Sequence, residues 1–116
     1  MTIHSSALKY VRESNALFYS GGVAVRSGDT TLSSESLDAT VDKEGRKVQH
    51  ATAREKVYIR QEDKECKGKV ADWYLDQGKV IVVGEPAEAY DSGRGRSFAR
   101  RLTYFTADDT ILLENR

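Results

Sequence analysis

The chain has 116 residues, of which 31% are charged and 39% apolar, and its 18 basic residues balance 18 acidic ones. This length allows one domain with a substantial core, and this composition excludes a disordered chain. A formal net charge of zero gives no reason to expect nucleic acid as a partner.

We expect residues 1–6 to form a flexible N-terminal segment and residues 7–116 to form a single domain. The start, MTIHSSALKY, lacks the apolar run of a signal peptide, and no apolar run in the chain approaches the length of a transmembrane helix. Either the protein is cytosolic, or its export segment or anchor has been removed.

Short β-strands are predicted throughout the domain of residues 7–116. VAVRS (23–27), LDATV (37–41) and KVYIR (56–60) alternate apolar and polar side chains, and turn motifs such as SGD, DQG and DSGRGR separate such segments. A helical period is not sustained anywhere. About ten or eleven short strands predict an all-β sandwich, barrel or elongated roll.

Two segments, KVIVVG (79–84) and TILLE (110–114), are apolar on both faces. They are expected to be covered on both sides or to line a site for an apolar guest. Ordinary sandwich packing is the alternative explanation.

The sequence also contains a weak internal repeat. Residues 102–116 align without a gap on residues 8–22, and residues 71–89 align in the same way on residues 7–25. A looser copy completes a series spaced by about thirty residues, which is typical of stacked supersecondary units. The markers of the series are Tyr10, Thr40, Tyr74 and Tyr104.

Few residues have the type and spacing that metal binding or catalysis requires. His4 and His50 are the only histidines and lack metal-ligand spacing, while Cys66 is the only cysteine and cannot form an internal disulfide. No general base accompanies Cys66, and no spaced acid/base pair is present. We therefore predict no metal, no cofactor and no catalytic residue.

One basic cluster lies in SGRGRSFARR, beside a glycine-rich turn. Its guanidinium groups could hold a phosphate bidentately. A solvated loop with compensating acids elsewhere is the alternative. The cluster consists of Arg94, Arg96, Arg100 and Arg101.

The motif YSGGVAV contains an aromatic residue, small residues, Gly and alternating valines, and it is followed by Gly28-Asp29 and then Leu32. A later motif reads ARRLTY (99–104). In these motifs the segment from Tyr19 to Leu113 resembles the OstA-like family, which includes the LptA/LptC type of lipopolysaccharide transport proteins and usually has Gly-Asp where Ala99-Arg100 stand here.

The resemblance implies a β-jellyroll, also described as a β-taco, of short antiparallel strands around an apolar groove that carries acyl chains of lipid A. It also implies a periplasmic protein that meets other β-jellyroll transport proteins through open sheet edges, or stacks head to tail with copies of itself. The sequence leaves open a soluble bridge, an anchored receptor or a piece of a longer array.

For the groove we select positions that stay apolar between copies of the repeat, together with neighbouring apolar strand residues. A plain β-roll core would use the same residues. The selected set is Val11, Leu17, Val23, Val25, Val41, Val57, Ile59, Trp73, Leu75, Ile81, Phe105, Ile111 and Leu113.

Two functions follow as hypotheses. The first is a noncatalytic module that binds lipopolysaccharide through lipid A and transports it. The second is a structural module that stacks edge to edge, or docks a protein partner, without lipid.

Overall fold

The structure is a computed structural model that describes residues 2–44, 47–106 and 110–114. These residues form nine strands and a short 3₁₀ turn at Leu75–Gln77. None of the helical structure in the described ranges is long and apolar enough to cross a membrane. The strands are β1 (Thr2–His4), β2 (Ala7–Val11), β3 (Ala16–Ser27), β4 (Thr30–Val41), β5 (Val48–Gln61), β6 (Lys64–Tyr74), β7 (Lys79–Asp91), β8 (Gly95–Phe105) and β9 (Thr110–Glu114).

All of these strands belong to one antiparallel sheet. From β3 to β9 each strand pairs with the next one along the chain, so the sheet is a meander. β1 and β2 share the remaining side of β3, where β1 pairs with residues 24–26 and β2 pairs with residues 16–20. In the described part of the chain, β1 and β2 therefore form one edge of the sheet and β9 forms the other.

A line of register shifts crosses the middle of the long strands. Gly21 and Gly22 of β3 lie in the first shift, and later shifts include residues 55–56 of β5, 68–69 of β6 and 84–86 of β7. Extra residues of this kind bend a strand locally. Because the shifts lie side by side, the whole sheet bends along one line.

The bend divides the sheet into two halves. The broad half contains β2, β9 and the parts of β3 to β8 on the same side of the bend, from residues 16–20 of β3 to residues 101–105 of β8. The narrow half contains β1 and the other parts of β3 to β8, from residues 23–27 to residues 95–99.

The two halves face each other. The hydroxyl of Tyr104 in the broad half donates a hydrogen bond to the side-chain oxygen of Gln61 in the narrow half, across the interior. The molecule measures 43 × 27 × 26 Å. Since neighbouring strands lie about 4.8 Å apart, the seven spacings from β2 to β9 account for about 34 Å, so the long axis runs across the strands.

Alternate side chains from both halves meet in one apolar core. Strand alternation places these residues on the inner face, and the bulges preserve that arrangement through the bend. The core consists of Val23, Val25, Leu32, Leu37, Ala39, Ala51, Ala53, Val57, Ile59, Cys66, Ala71, Trp73, Val80, Val82, Ala87, Ala89, Ala99, Leu102 and Tyr104.

One glycine at the bend is required by space rather than by backbone angle. A Cβ atom added to Gly68 on β6 would lie 2.4 Å from Cγ1 of Val82 and 3.0 Å from the carbonyl oxygen of Val83 on β7. Only glycine lets β6 and β7 approach this closely where the sheet turns.

Three expectations differ from the structure. Nine strands are described rather than ten or eleven, because strands β3 to β8 are long and each bends once. Residues 2–4 are not a free segment, since they form β1 and pair with β3. The apolar segments are not covered on both sides, because Val83 is 45% exposed and Leu112 is 49% exposed on the outer face, and the alternative that they line a site for an apolar guest stays a prediction.

Candidate functional site

The candidate site is the interior between the two halves, which is built from rows of side chains across the strands. One row of the broad half crosses the sheet from Leu17 on β3 through Trp73 and Val80 to Ile111 on β9. A row of the narrow half runs from Ile3 on β1 to Ser97 on β8. The interior is thus continuous from one edge of the sheet to the other.

The middle of this interior is closed. Five inward-facing residues have a relative exposure of 0%, so no water-sized space lies against them. An apolar guest could pass through the middle only if the two halves moved apart, which would also break the bond between Tyr104 and Gln61. The five residues are Ala71, Val80, Val82, Ala87 and Leu102.

The larger opening lies beside Ile3 of β1 and Tyr19 of β3, where the β4–β5 turn and the 3₁₀ turn also reach it. A cavity of about 670 Å³ lies there, lined by the apolar side chains of Ile3, Tyr19, Val48 and Leu75. Burial raises the pKa of the Tyr19 phenol above its ordinary value. Three charged residues also line this cavity and make part of its wall hydrophilic: Asp42, Lys47 and Asp76.

The opposite edge has a smaller opening of about 90 Å³. Ile111 and Leu113 of β9 line it together with Ala89, and Arg94 and Ser97 lie at its polar side. Leu113 faces inward, since it pairs with the inward-facing Leu102, yet it is 42% exposed because no further strand of the described chain covers it.

Most of the predicted groove residues face the interior. Val23, Val25, Val57, Ile59 and Trp73 are buried in the core, and Leu17, Leu75 and Ile111 pack against it half-buried. Val41 follows the inward-facing Leu37 and Ala39 on β4, and Leu113 faces inward at the open edge.

Three predicted groove residues lie on the outer face instead. Ile81 pairs with Asp72 on one side and Thr103 on the other, while Phe105 pairs with Lys79 and Val11 pairs with Ala16, on the face opposite to Leu17. The structure therefore removes Val11, Ile81 and Phe105 from the candidate interior.

The four arginines do not form one cluster. Arg100 and Arg101 line a shallow pocket at the bend together with Glu85, and Arg101 lies 4.0 Å from Glu114. Arg96 pairs with Glu88 and lies over the ring of Tyr90. Arg94 lies in the turn before β8. A single phosphate could not be held by all four.

His50 makes contacts near the surface, and Cys66 packs in the core. His50 lies 3.1 Å from a carboxylate oxygen of Asp72 and stacks on the ring of Tyr74. Cys66 is buried in the core, and this burial raises its pKa to about 11. Within the described ranges, no three or more His, Cys, Asp or Glu residues are grouped so that they could hold a metal ion.

Sequence reasoning missed several interior residues. Ile3, Tyr19 and Val48 line the larger opening, and Val80 and Val82 fill the middle. Val80 is paired with Trp73 across β6 and β7, but alternation counted by twos from Trp73 reaches Ile81, so the register of this hairpin was needed to find Val80. The repeat alignment selected Ile81 instead.

This geometry defines a class of protein: a β-jellyroll made from one bent antiparallel sheet, with an apolar interior that reaches both open edges. The family model described as "LptA/(LptD N-terminal domain) LPS transport protein" matches residues 2–110, and the chain belongs to that family. The predicted family and the predicted all-β jellyroll are both confirmed. Because this is a family of transport proteins, the chain is not an enzyme.

A solved structure shows the same fold. It is described as LptH, the LptA homologous periplasmic component of the lipopolysaccharide transport device from Pseudomonas aeruginosa. The two share 15% sequence identity with a TM-score of 0.87, over 99% of this chain and 82% of the other. At this identity the likeness shows the fold alone. No curated protein matches the chain.

Proposed function

We propose that the protein is a noncatalytic periplasmic module that binds lipopolysaccharide and carries the acyl chains of lipid A between the two halves of its sheet. One observation carries this proposal: in a chain of the LPS transport family, a continuous apolar interior reaches both open edges of the sheet. The periplasmic location is inferred from LptH, which is described as a periplasmic component.

The physical driving force is burial of hydrocarbon. Each CH₂ group of an acyl chain that leaves water contributes about 0.8 kcal/mol. The opening at Ile3, Tyr19 and Leu75 offers an apolar entrance with room for part of a chain. Further entry requires the halves to part in the middle, so binding stabilises a state that is more open than the one described here.

The proposed partners are other β-jellyroll transport proteins, including further copies of this chain. β9 at one edge and β2 at the other both belong to the broad half. Pairing of β9 with the β2 of a neighbour would continue that half from one molecule to the next, because unpaired edge strands are templates for strand addition.

The test uses the fluorescence of Trp73, the only tryptophan, which is 6% exposed inside the core. Titration with lipid A is expected to give a saturable change as chains reach the interior. Ile111→Asp places a charge on the inner face of β9 and should weaken the response at least tenfold. Leu112→Asp is the matched control, since its side chain lies on the outer face of the same strand and is 49% exposed.

Circular dichroism must show that both variants are folded. A folded wild-type protein without a saturable response would refute lipid binding. Equal loss in the two variants would place the ligand outside the interior.

The second candidate function is a structural module that assembles through its edges without lipid. Leu8 and Tyr10 of the edge strand β2 lie on the inner face of the sheet and are exposed, so they could contact the edge of a neighbouring molecule. Light scattering against protein concentration distinguishes the two functions: assembly without any Trp73 response to lipid A supports the structural module.

A further inference from the structure

A further cavity lies on the outer face of the narrow half, across β1, β3, β4 and β5. Its volume is about 520 Å³, and pockets for small molecules typically have volumes of about 300–1,000 Å³. Val25 and Leu32 point into the core on the other side of the sheet, so their neighbours along β3 and β4 point outward into the cavity. Its outward-facing side chains are those of Thr2, His4, Ala24, Arg26, Thr31, Ser33 and Tyr58.

The cavity forms because two small side chains lie between two large ones in one row across the sheet. His4 pairs with Ala24, Ala24 pairs with Ser33, and Ser33 pairs with Tyr58. The strands of His4 and Tyr58 are three strand spacings apart, or about 14 Å. The two small residues therefore form the floor of the cavity, and the two rings form walls on either side.

Arg26 gives the cavity a positive charge. Its side chain is exposed, and it pairs with Thr2 on one side and Thr31 on the other, so no carboxylate lies beside it in the ladder. Among the described residues that line the cavity, none is Asp or Glu. A guanidinium group binds a carboxylate through two parallel hydrogen bonds. An anionic ligand therefore meets a matched donor here and no like charge in the wall.

Hydroxyl groups line the cavity next to Arg26. Thr31 and Ser33 lie on the same face of β4, and each hydroxyl can both donate and accept hydrogen bonds. The hydroxyl of Thr31 donates to the backbone carbonyl oxygen of Arg60 at 3.5 Å, which leaves its own lone pairs able to accept. A ligand with hydroxyl groups of its own would use these partners, whereas a bare anion would use only the arginine.

Tyr58 provides an apolar wall. Lys67 pairs with it from β6, and the ammonium nitrogen of Lys67 lies 5.6 Å from the centre of the ring. Ser33 pairs with it from β4, on the side of the cavity. The side of the ring away from Lys67 can therefore pack against an apolar surface of a ligand. A sugar ring combines such a surface, made of C–H groups, with hydroxyl groups at its edge.

From these features we propose that the cavity binds an acidic saccharide, in which a sugar ring carries a carboxylate. The carboxylate binds Arg26, and the sugar hydroxyl groups bind Thr31 and Ser33. The C–H face of the ring packs against Tyr58. The single charge of a carboxylate matches the one guanidinium group of the cavity. The cavity lies on the face of the sheet opposite to the interior, so this binding is a function beyond the proposed transport of lipid.

The experiment titrates trigalacturonate into the ¹⁵N-labelled protein and follows the amide signals by NMR. No lipid is present, so the outcome is independent of the proposed function. Saturable shifts are expected for the amides of Ala24 and Ser33. Methyl-esterified trigalacturonate keeps the rings but loses the charge, and it should bind at least tenfold more weakly. Galacturonate alone distinguishes the source of the ligand: equal affinity indicates a free sugar acid, and weaker affinity indicates a unit of a glycan.

Two variants test the assigned contacts. Arg26→Ala should weaken trigalacturonate binding at least tenfold, since it removes the carboxylate partner. Ser33→Phe should abolish binding without any change in charge, because it fills the floor of the cavity. Arg96→Ala is the matched control, since Arg96 lies on the same outer face at the far end of the row that begins at Thr2 and Arg26, and it should leave binding unchanged.

The dispersed amide spectrum of each variant shows that it is folded. Equal loss in the Arg26 and Arg96 variants would indicate general electrostatic attraction and would overturn the proposal. So would equal binding of the methyl ester, or the absence of saturable shifts at Ala24 and Ser33. Displacement of the sugar by inorganic phosphate at equal concentration would also overturn it, because the cavity would then be a site for a bare anion.

Discussion

Gly68→Ala tests whether the bend of the sheet depends on close approach between β6 and β7. The added methyl carbon would lie 2.4 Å from Cγ1 of Val82 and 3.0 Å from the carbonyl oxygen of Val83. Carbon atoms in ordinary contact lie about 3.5–4.0 Å apart, so the overlap with Val82 exceeds about 1 Å. Val82 cannot easily yield, since it is fully buried and β-branched.

The expected magnitude follows from two opposing effects. Overpacking of a buried site costs about 1–3 kcal/mol. Replacement of glycine by alanine restricts the unfolded chain and offsets about 0.4–1 kcal/mol of this. We therefore expect a net loss of about 1–2 kcal/mol in the free energy of unfolding, which lowers the Tm of a domain of this size by roughly 4–8 °C.

The assay is urea denaturation of four proteins. They are the wild type, the single variants Gly68→Ala and Val82→Ala, and the double variant that carries both substitutions. If Cγ1 of Val82 causes the clash, Gly68→Ala should cost no more than about 0.5 kcal/mol once that atom is absent. Gly93→Ala is the control, since its added Cβ would lie 3.5 Å from the nearest side-chain atom. An identical cost of Gly68→Ala in both backgrounds would refute the reasoning.

Two further predictions concern the core. Tyr104→Phe removes the hydrogen bond to Gln61 between the halves, so we expect the free energy of unfolding to fall by about 1 kcal/mol. Because the closed state is weakened, lipid A should bind about fivefold more tightly, as measured by Trp73 fluorescence. Unchanged or weaker binding would contradict the need for the halves to part. Because the pKa of Cys66 is raised to about 11, only the unfolded thiol ionises just above pH 9, so stability should fall between about pH 9 and 11. Denaturation at several pH values should show a flatter profile for Cys66→Ala, and identical profiles would count against the buried thiol as the cause.

The sequence predicted the fold well where the alternation was strict. On β5, Val57 and Ile59 alternate with polar residues, and both are in the core. Trp73 was also placed inside correctly, with Asp72 and Tyr74 on the outer face beside it. Alternation works here because burial on one face of a strand sets the register of the whole strand.

The predicted interior was less accurate because the repeat does not keep its phase. Along the ladder, Tyr74 lies in the same row as Phe105, one residue beyond its repeat partner Tyr104. A slip of one residue transfers a side chain to the other face of the sheet. The inward-facing row of side chains that begins at Leu17 therefore reaches Val80 on β7, and Ile81 lies on the outer face of the sheet.

The bulges explain why the phase could not be read from the sequence. The register shifts consume different numbers of residues, for example Gly21 and Gly22 in β3 against residues 84–86 in β7. Each shift changes the number of residues that separate two side chains on the same face of the sheet. No fixed repeat length can keep all copies aligned across such a line.

The unequal halves of the sheet have a consequence for the proposed stack of molecules. In a stack in which β9 pairs with the β2 of a neighbour, the broad half would be continuous, while the narrow half would be interrupted beside residues 95–99. The interruption would be at least one strand wide, or about 4.8 Å. A polar head group cannot enter the closed apolar interior without loss of its hydration, so a lateral gap is where it could stay in water while its acyl chains are covered.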